Sequence, residues 1–253
     1  MTARLQGKIA LVTGSTSNIG KGIAIAMAAE GASVVVTGRD PARGADVVNL
    51  IKAAGGRAAF VAADLDGTAP ASAQLAADAA AAFGPITVLV NNAGVYPAHG
   101  TLTTEEETFD RVFAINVKAP FFLTAAMIPA MTDAGGGGII NLGSWIARLG
   151  IPASPVYSAT KGALETLTRT WAAEFGAQGI RVNAISPGVV FDGPDDVPDR
   201  AKGAMTTSPA GKPGSPADIA AAAVYLASDE AAFVHGAVLD IDGGRVNVFA
   251  TTL

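Results

Sequence analysis

Short, almost wholly apolar runs recur along the chain, separated by longer alanine-rich stretches with helical periodicity. The runs are KIALVT (Lys8–Thr13), SVVVTG (Ser33–Gly38), AAFVAA (Ala58–Ala63), ITVLVN (Ile86–Asn91), GIINLG (Gly138–Gly143), IRVNAIS (Ile180–Ser186) and AVLDID (Ala237–Asp242). Near-continuous apolar strands, rather than alternating ones, suit a parallel sheet covered on both faces. Between them, Ile19–Glu30 places Ile19, Ile23 and Met27 on one helical face and stops at Gly31. Ser72–Phe83 stops similarly at Gly84-Pro85, and further helices are predicted at Glu105–Thr132, Tyr157–Gly176 and Pro216–Ala227. The last opens with a capping Ser215 and a proline at its first position. This alternation predicts right-handed crossovers and the α/β class. The expected fold is a single-domain, Rossmann-like, doubly wound parallel sheet of about seven strands flanked by helices, spanning 1–253.

One interval breaks the pattern. Residues 188–214 are too long for an ordinary loop. They follow the carboxyl end of a strand, where ligands of α/β proteins sit, so they are expected to form a substrate lid rather than a disordered surface insertion.

Composition narrows the partners. Half of the 253 residues are hydrophobic, much of that alanine, but no stretch approaches the ~18 uninterrupted apolar residues of a spanning helix. The first residues lack the features of a signal peptide. Without cysteine there is no disulfide framework and no thiolate metal site, and a cytoplasmic protein is the simplest reading. A net charge of −5 without a lysine or arginine run argues against nucleic acid or a membrane as partner. No His/Asp/Glu grouping has metal-ligand spacing, so no metal is expected, and no G-x-S-x-G elbow suggests a hydrolase.

The candidate chemistry starts at Val12–Gly22, VTGSTSNIGKG, which two phosphate grips could explain. A triphosphate loop needs four residues between its first glycine and Gly-Lys, then a Ser or Thr. Here five residues separate Gly14 from Gly20, and Gly22 follows Lys21, so that reading fails. A dinucleotide turn fits better: Gly14 follows the first strand, and the helix opening near Ile19 would present its amide-rich N-terminus to a pyrophosphate. The second strand then ends at Gly38 without the acidic residue that binds both ribose hydroxyls, and Arg39 follows with a guanidinium suited to a 2′-phosphate. Asp40 precedes Pro41 and reads as the cap of a helix. Arg43, one turn along, could add charge or simply be solvated. NADP(H) is therefore expected as cofactor rather than NAD(H).

Thr13-Gly14-x-x-x-Asn18-Ile19-Gly20 resembles the T-G-x-x-x-G-x-G turn of the classical short-chain dehydrogenase/reductase family, with Asn18 at the middle glycine. Asparagine tolerates a left-handed backbone, so the turn can survive. The resemblance spans nearly the whole chain. It includes Asp64 near the adenine, Asn91-Asn92-Ala93-Gly94, the tetrad Asn116, Ser144, Tyr157 and Lys161, Pro187-Gly188, and the C-terminal LDIDGG. It implies cofactor contacts from Gly14, Ser17, Asn18, Ile19, Gly20, Arg39, Asp64, Leu65, Asn92, Ala93, Gly94, Tyr157, Lys161, Pro187, Gly188 and Val190. Asp192 stands where the family has the threonine of P-G-x-x-x-T, which removes one expected contact to the carboxamide. The resemblance also implies a homotetramer.

Tyr157 and Lys161, four apart in YSATK, share one helical face. An ammonium fixed beside a phenol is expected to lower its pKa from near 10 toward the working range. Ser144, at a strand end, could hydrogen-bond the substrate oxygen. The resemblance implies that Tyr157 protonates a carbonyl as hydride arrives, that Lys161 also holds the nicotinamide ribose, and that Asn116 supports a relay water. Tyr96, His99 and Trp145 are candidate pocket residues. The expected activity is interconversion of a small-molecule carbonyl and a secondary alcohol. The alternatives are an NAD-dependent sugar, polyol or steroid dehydrogenase and a non-catalytic dinucleotide-binding sensor or scaffold.

Overall fold

The computed structural model describes residues 3–152, 154–193, 205 and 208–248. All seven apolar runs form strands: β1 (Ile9–Val12), β2 (Ser33–Gly38), β3 (Arg57–Ala62), β4 (Val88–Asn91), β5 (Gly137–Leu142), β6 (Ile180–Pro187) and β7 (Val238–Ile241). They make one parallel sheet in the order β3-β2-β1-β4-β5-β6-β7. Among the described residues the α-helices are α1 (Asn18–Ala29), α2 (Pro41–Ala53), α3 (Ala69–Phe83), α4 (Glu106–Phe113), α5 (Ala119–Asp133), α6 (Pro155–Phe175) and α7 (Pro216–Ala227).

Apolar continuity has a direct cause. Ala10 and Val12 of β1, with Val34 and Val36 of β2, pack into a core beside Ile23, Met27 and Ile219. The intervening Leu11 and Val35 face the opposite core, with Leu75, Leu123 and Trp171. Ala10, Leu11 and Val12 of β1 and Val34, Val35 and Val36 of β2 therefore need apolar side chains on both faces of the sheet. Helices α1 and α7 approach closely because their contact is small: a Cβ on Gly22 would lie 2.8 Å from the Pro216 Cβ.

Helix ends shift where local chemistry decides them. Helix α3 begins three residues earlier than expected, because Thr68 accepts a hydrogen bond from the Ala71 amide at 3.3 Å and Pro70 fits the first turn. Asp40 caps α2 as expected, accepting from Ala42 and Arg43 at 3.0 and 3.2 Å. Glu105–Thr132 is not one regular helix: a π turn over Ala114–Lys118 separates α4 from α5. Pro120 has no N–H to offer the Asn116 carbonyl, and the Ala119 amide reaches five residues back to the Ala114 oxygen. By length and composition, Glu106–Asp133 is apolar enough to cross a membrane, a test that core helices also pass. Its Val112, Asn116, Leu123, Met127 and Met131 are buried against the rest of the fold.

Of the expected lid at 188–214, residues 194–204, 206 and 207 lie outside the described residues. Its base is fastened. Val190 and Gly214 form a parallel bridge, in which Phe191 donates to the Gly214 carbonyl at 3.1 Å and Gly214 to that of Val189 at 2.9 Å.

Gly67, in the loop between β3 and α3, packs against the π turn. Its φ is +84°, and a Cβ there would sit 2.5 Å from the Ala114 carbonyl oxygen. Gly67→Ala should cost about 1–2 kcal/mol for the left-handed backbone and about 1–3 kcal/mol more for overpacking. Calorimetry should show Tm lowered by roughly 5–15 °C. An unchanged Tm would contradict this close approach.

Candidate active site

Strand order reverses between β1 and β4, and the chain opens a crevice there at the carboxyl ends of the sheet. Two side chains tie its walls together. Thr13 Oγ1 accepts from the amides of Asn92 and Ala93, both at 2.9 Å, and donates to the Val90 carbonyl at 3.2 Å. Asn92 Nδ2 donates to the carbonyls of Thr13 and Gly14, at 2.8 and 3.1 Å. The glycines let these backbones approach: a Cβ on Gly20 would lie 2.4 Å from the Gly14 oxygen and 2.5 Å from Asn92 Nδ2. Asn18 adopts the left-handed conformation expected of it, with φ of +44°.

The resulting cleft has a volume of about 730 Å³ and is bordered by Gly14, Ser17, Asn18, Ile19, Gly20, Arg39, Asp64, Leu65, Asn92, Ala93, Gly94 and Tyr157, all of them expected contacts. Lys161, Pro187, Gly188 and Val190 do not border it. Gly188 instead packs on the chain after β7, where its Cβ would meet the Asp242 Cα at 2.7 Å. Thr16, Thr37, Val95 and Ile115 border the cleft without having been expected to. The last two were within reach of the motifs, since Val95 follows Gly94 and Ile115 precedes Asn116. Thr37 carried no sequence signal, because its strand reads as continuous core.

The cleft suits a nicotinamide dinucleotide. The turn from Gly14 leads into the free amides at the start of α1, a phosphate cradle that a side chain at Gly20 would fill. The Thr37 hydroxyl is buried without a partner at the end of β2. No carboxylate stands at Gly38, and the Asp40 carboxylate is taken up by α2 and by Arg43, 3.5 Å away.

At the other end, β5 delivers Ser144 and α6 delivers Tyr157 and Lys161. Ser144 is buried and opens a 3₁₀ turn, its Oγ accepting from the Ile146 amide at 3.4 Å. Burial pushes the Tyr157 pKa up to about 12, partly offset by a hydrogen bond with Ser144, while Tyr96 adds to the rise. Tyr96 meets the Tyr157 ring edge-on at 4.7 Å. Lys161 Nζ donates to the Leu142 carbonyl at 2.6 Å and lies 5.4 Å from the Tyr157 ring centroid. Burial pulls its pKa down to about 8. The expected lowering of the phenol by Lys161 is thus not met: desolvation dominates, and the ammonium sits over the ring with a backbone carbonyl as its partner.

Asn116, on the π turn, is fully buried. Its Oδ1 accepts from the Val95 amide at 2.9 Å, and Nδ2 donates to the Val95 carbonyl at 3.0 Å and to Thr160 Oγ1 at 3.2 Å. The four residues of the tetrad therefore converge from the π turn, β5 and α6. Trp145 stacks under Arg245 at 4.7 Å, and His99 is exposed.

Comparison with known proteins agrees with this geometry. The family model described as Enoyl-(Acyl carrier protein) reductase matches residues 14–245. An uncharacterized oxidoreductase of Thermotoga maritima is 39% identical over 253 residues, covering 96% of this chain and 99% of that protein. A D-threitol dehydrogenase of Mycolicibacterium smegmatis is 40% identical over 250 residues, covering 95% and 94%. A blue fluorescent protein from a metagenomic library, solved in complex with NADPH, superposes with a TM-score of 0.88 at 34% identity, covering 96% and 99%.

The raised phenol makes a spectroscopic prediction. In ligand-free protein, the difference in absorbance at 295 nm between wild type and Tyr157→Phe should show no phenolate below pH 10. The Tyr157 step should come near pH 12. A step between pH 6 and 9 would mean that Lys161, not burial, controls the phenol.

Proposed function

The chain belongs to the short-chain dehydrogenase/reductase family, and on that premise we propose that it is an NADP(H)-dependent oxidoreductase interconverting a carbonyl and a secondary alcohol, with Tyr157 as general acid/base. One observation carries this reading. Tyr157 borders the same cleft as the Gly14–Gly20 turn, and the Ser144 hydroxyl stands near enough to its phenol to oppose the shift caused by burial.

A bound nicotinamide would supply or accept the hydride. The chain's own residues handle the oxygen and its proton. With a pKa raised to about 12, Tyr157 is a neutral phenol at physiological pH, the protonation state that reduction requires. It donates its proton to the carbonyl oxygen as negative charge develops there. Ser144 donates a second hydrogen bond to that oxygen, in a buried site where such a bond is strong. Lys161 stands beside the phenolate this leaves and stabilises it, since an ammonium with a pKa near 8 is mostly charged at pH 7. Asn116 clamps the Val95 segment to α6 through Thr160, whose own hydroxyl bonds the Tyr157 carbonyl at 2.7 Å, and supports a relay water behind Lys161. In the oxidative direction the same phenol must first lose its proton, so alkaline conditions favour it.

The cofactor-contact roles proposed for Gly14, Ser17, Asn18, Ile19, Gly20, Asp64, Leu65, Asn92, Ala93 and Gly94 rest on their place in the cleft. Arg39 has no ion pair among the described residues and is proposed to meet a 2′-phosphate, which supports NADP(H) over NAD(H). The relative that acts on D-threitol supports a small hydroxylated substrate. We also propose a homotetramer, with the outer face of α4–α5, where Phe109 and Phe121 are 45% and 42% exposed, among its contacts.

Two measurements test the reading. Loss of NADPH absorbance with a panel of ketones, aldehydes and ketoses identifies the substrate. With it, Tyr157→Phe should lower turnover at least about a hundredfold while cofactor affinity is kept. Near-normal turnover would remove the mechanism. Separately, Arg39→Ala should lower kcat/KM for NADPH by about ten- to a hundredfold, the loss of a charge-assisted hydrogen bond, and leave that for NADH nearly unchanged. A wild type that prefers NADH would overturn the cofactor assignment.

A further inference from the structure

Next to Ser144 lies a cluster of charges that the proposed chemistry does not use. Arg148 closes the 3₁₀ turn Trp145–Ala147 that Ser144 opens. Its guanidinium grips Asp240 of β7 with both teeth, Nη1 donating to Oδ2 at 3.0 Å and Nη2 to Oδ1. Nη2 also donates to Ser186 Oγ of β6 at 3.0 Å, and Nε lies 3.4 Å from Glu165 Oε2 on α6. Asn247 Nδ2 donates to the same Asp240 carboxylate at 2.7 Å. The planar fork pairs both oxygens of Asp240 while still reaching Ser186 and Glu165, a bidentate geometry that the compact ammonium of a lysine does not reproduce.

Glu165 gives the cluster its direction. It is 5% exposed and stands on α6 four residues beyond Lys161 and eight beyond Tyr157, on the same face. Oε2 faces Arg148. Oε1 has no hydrogen-bond partner and lies 3.2 Å from where a Cβ on Gly143 would be. Gly143 precedes Ser144, and Arg148 follows it by four residues, so Glu165 touches the turn at both ends. The Gly143 amide is held in addition by the Ile185 carbonyl at 2.8 Å. Burial pushes the Glu165 carboxyl up, with Arg148 opposing the shift. Two carboxylates gathered on one partly buried cation carry a desolvation cost, so stability alone is a poor reason for the arrangement. What it does secure is geometry: the turn bearing Ser144 is referenced directly to the helix bearing Tyr157.

We propose that the Glu165–Arg148–Asp240 triad is a positioning device that holds the Ser144 hydroxyl in register with the Tyr157 phenol, with Arg148 as the positioning residue. This rests on the reading that both hydroxyls serve the same substrate oxygen. Arg148 itself touches neither cofactor nor substrate in this scheme. Its effect passes through Ser144, and that makes it separable from a general structural role.

The test is a double-mutant cycle in the full-length protein, with NADPH and the carbonyl substrate found by the panel. Arg148→Met should lower kcat about ten- to a hundredfold, the scale of a misplaced reacting group, with cofactor Kd within about twofold. In a Ser144→Ala background the same substitution should cause no further loss. Equal losses in both backgrounds would overturn the proposal. A second readout needs no substrate. Of the two tryptophans, Trp171 is 4% exposed while Trp145 sits in the turn. Acrylamide quenching should therefore rise in Arg148→Met, and Arg148→Lys should move it the same way by a smaller step. Unchanged quenching in both variants would overturn the triad's role even in a protein with no carbonyl turnover, whereas raised quenching without any turnover would leave the triad standing and remove the enzyme reading. If Arg148→Met does not fold, Arg148→Lys carries both measurements.

Discussion

The hydrogen-bonded staple between Thr13 and Asn92 is the interaction on which the rest of the site depends. Adjacent parallel strands whose connections leave in opposite directions must part at their carboxyl ends, and the carbonyls and amides exposed there need partners. Thr13 and Asn92 supply five such bonds from two side chains. They fix the distance between the turn after β1 and the segment after β4, and thereby the width of the cleft. Gly14 and Gly20 are consequences of that distance, since neither position has room for a side chain.

At the far end of the cleft, helix α6 acts as a ruler. Tyr157, Lys161 and Glu165 lie at successive four-residue steps on one face, and each meets a different part of the chain around β5. Tyr157 meets Ser144, Lys161 meets the Leu142 carbonyl, and Glu165 meets Arg148. The π turn at Ala114–Lys118 adds a third point by bringing Asn116 against Thr160 of the same helix. Few rotations of α6 satisfy all these contacts together, so packing rather than any single bond sets the geometry of the two hydroxyls.

Electrostatics in this region follow from burial more than from charge pairing. The nearest cation to the phenol is itself desolvated, and the two groups shift in opposite directions: the tyrosine upward to about 12 and the lysine downward to about 8. Each shift disfavours the charged form, as a low-dielectric surrounding must. The protein thus stores a neutral phenol beside a lysine that stays mostly protonated at pH 7.

The sequence by itself determined the strands, their parallel order in class, and the residues of both motifs. Apolar continuity and helical spacing are local signals, and Gly14, Asn18 and the Tyr157–Lys161 step carry their meaning within a few residues of themselves. Asp40 was also legible, because a cap followed by proline is a local arrangement. Tertiary structure alone decided the rest. The π turn depends on Pro120 and on the contact of Gly67 with Ala114, which are 47 residues apart and unmatched by any local pattern. The direction of the Tyr157 shift depends on how completely the fold buries it, and spacing to Lys161 is silent about that. Arg148, Glu165 and Asp240 read as ordinary surface charges along the chain. They become a triad only because the turn after β5, the middle of α6 and the end of β7 meet in one place, and burial turns an isolated charge into one that must find partners.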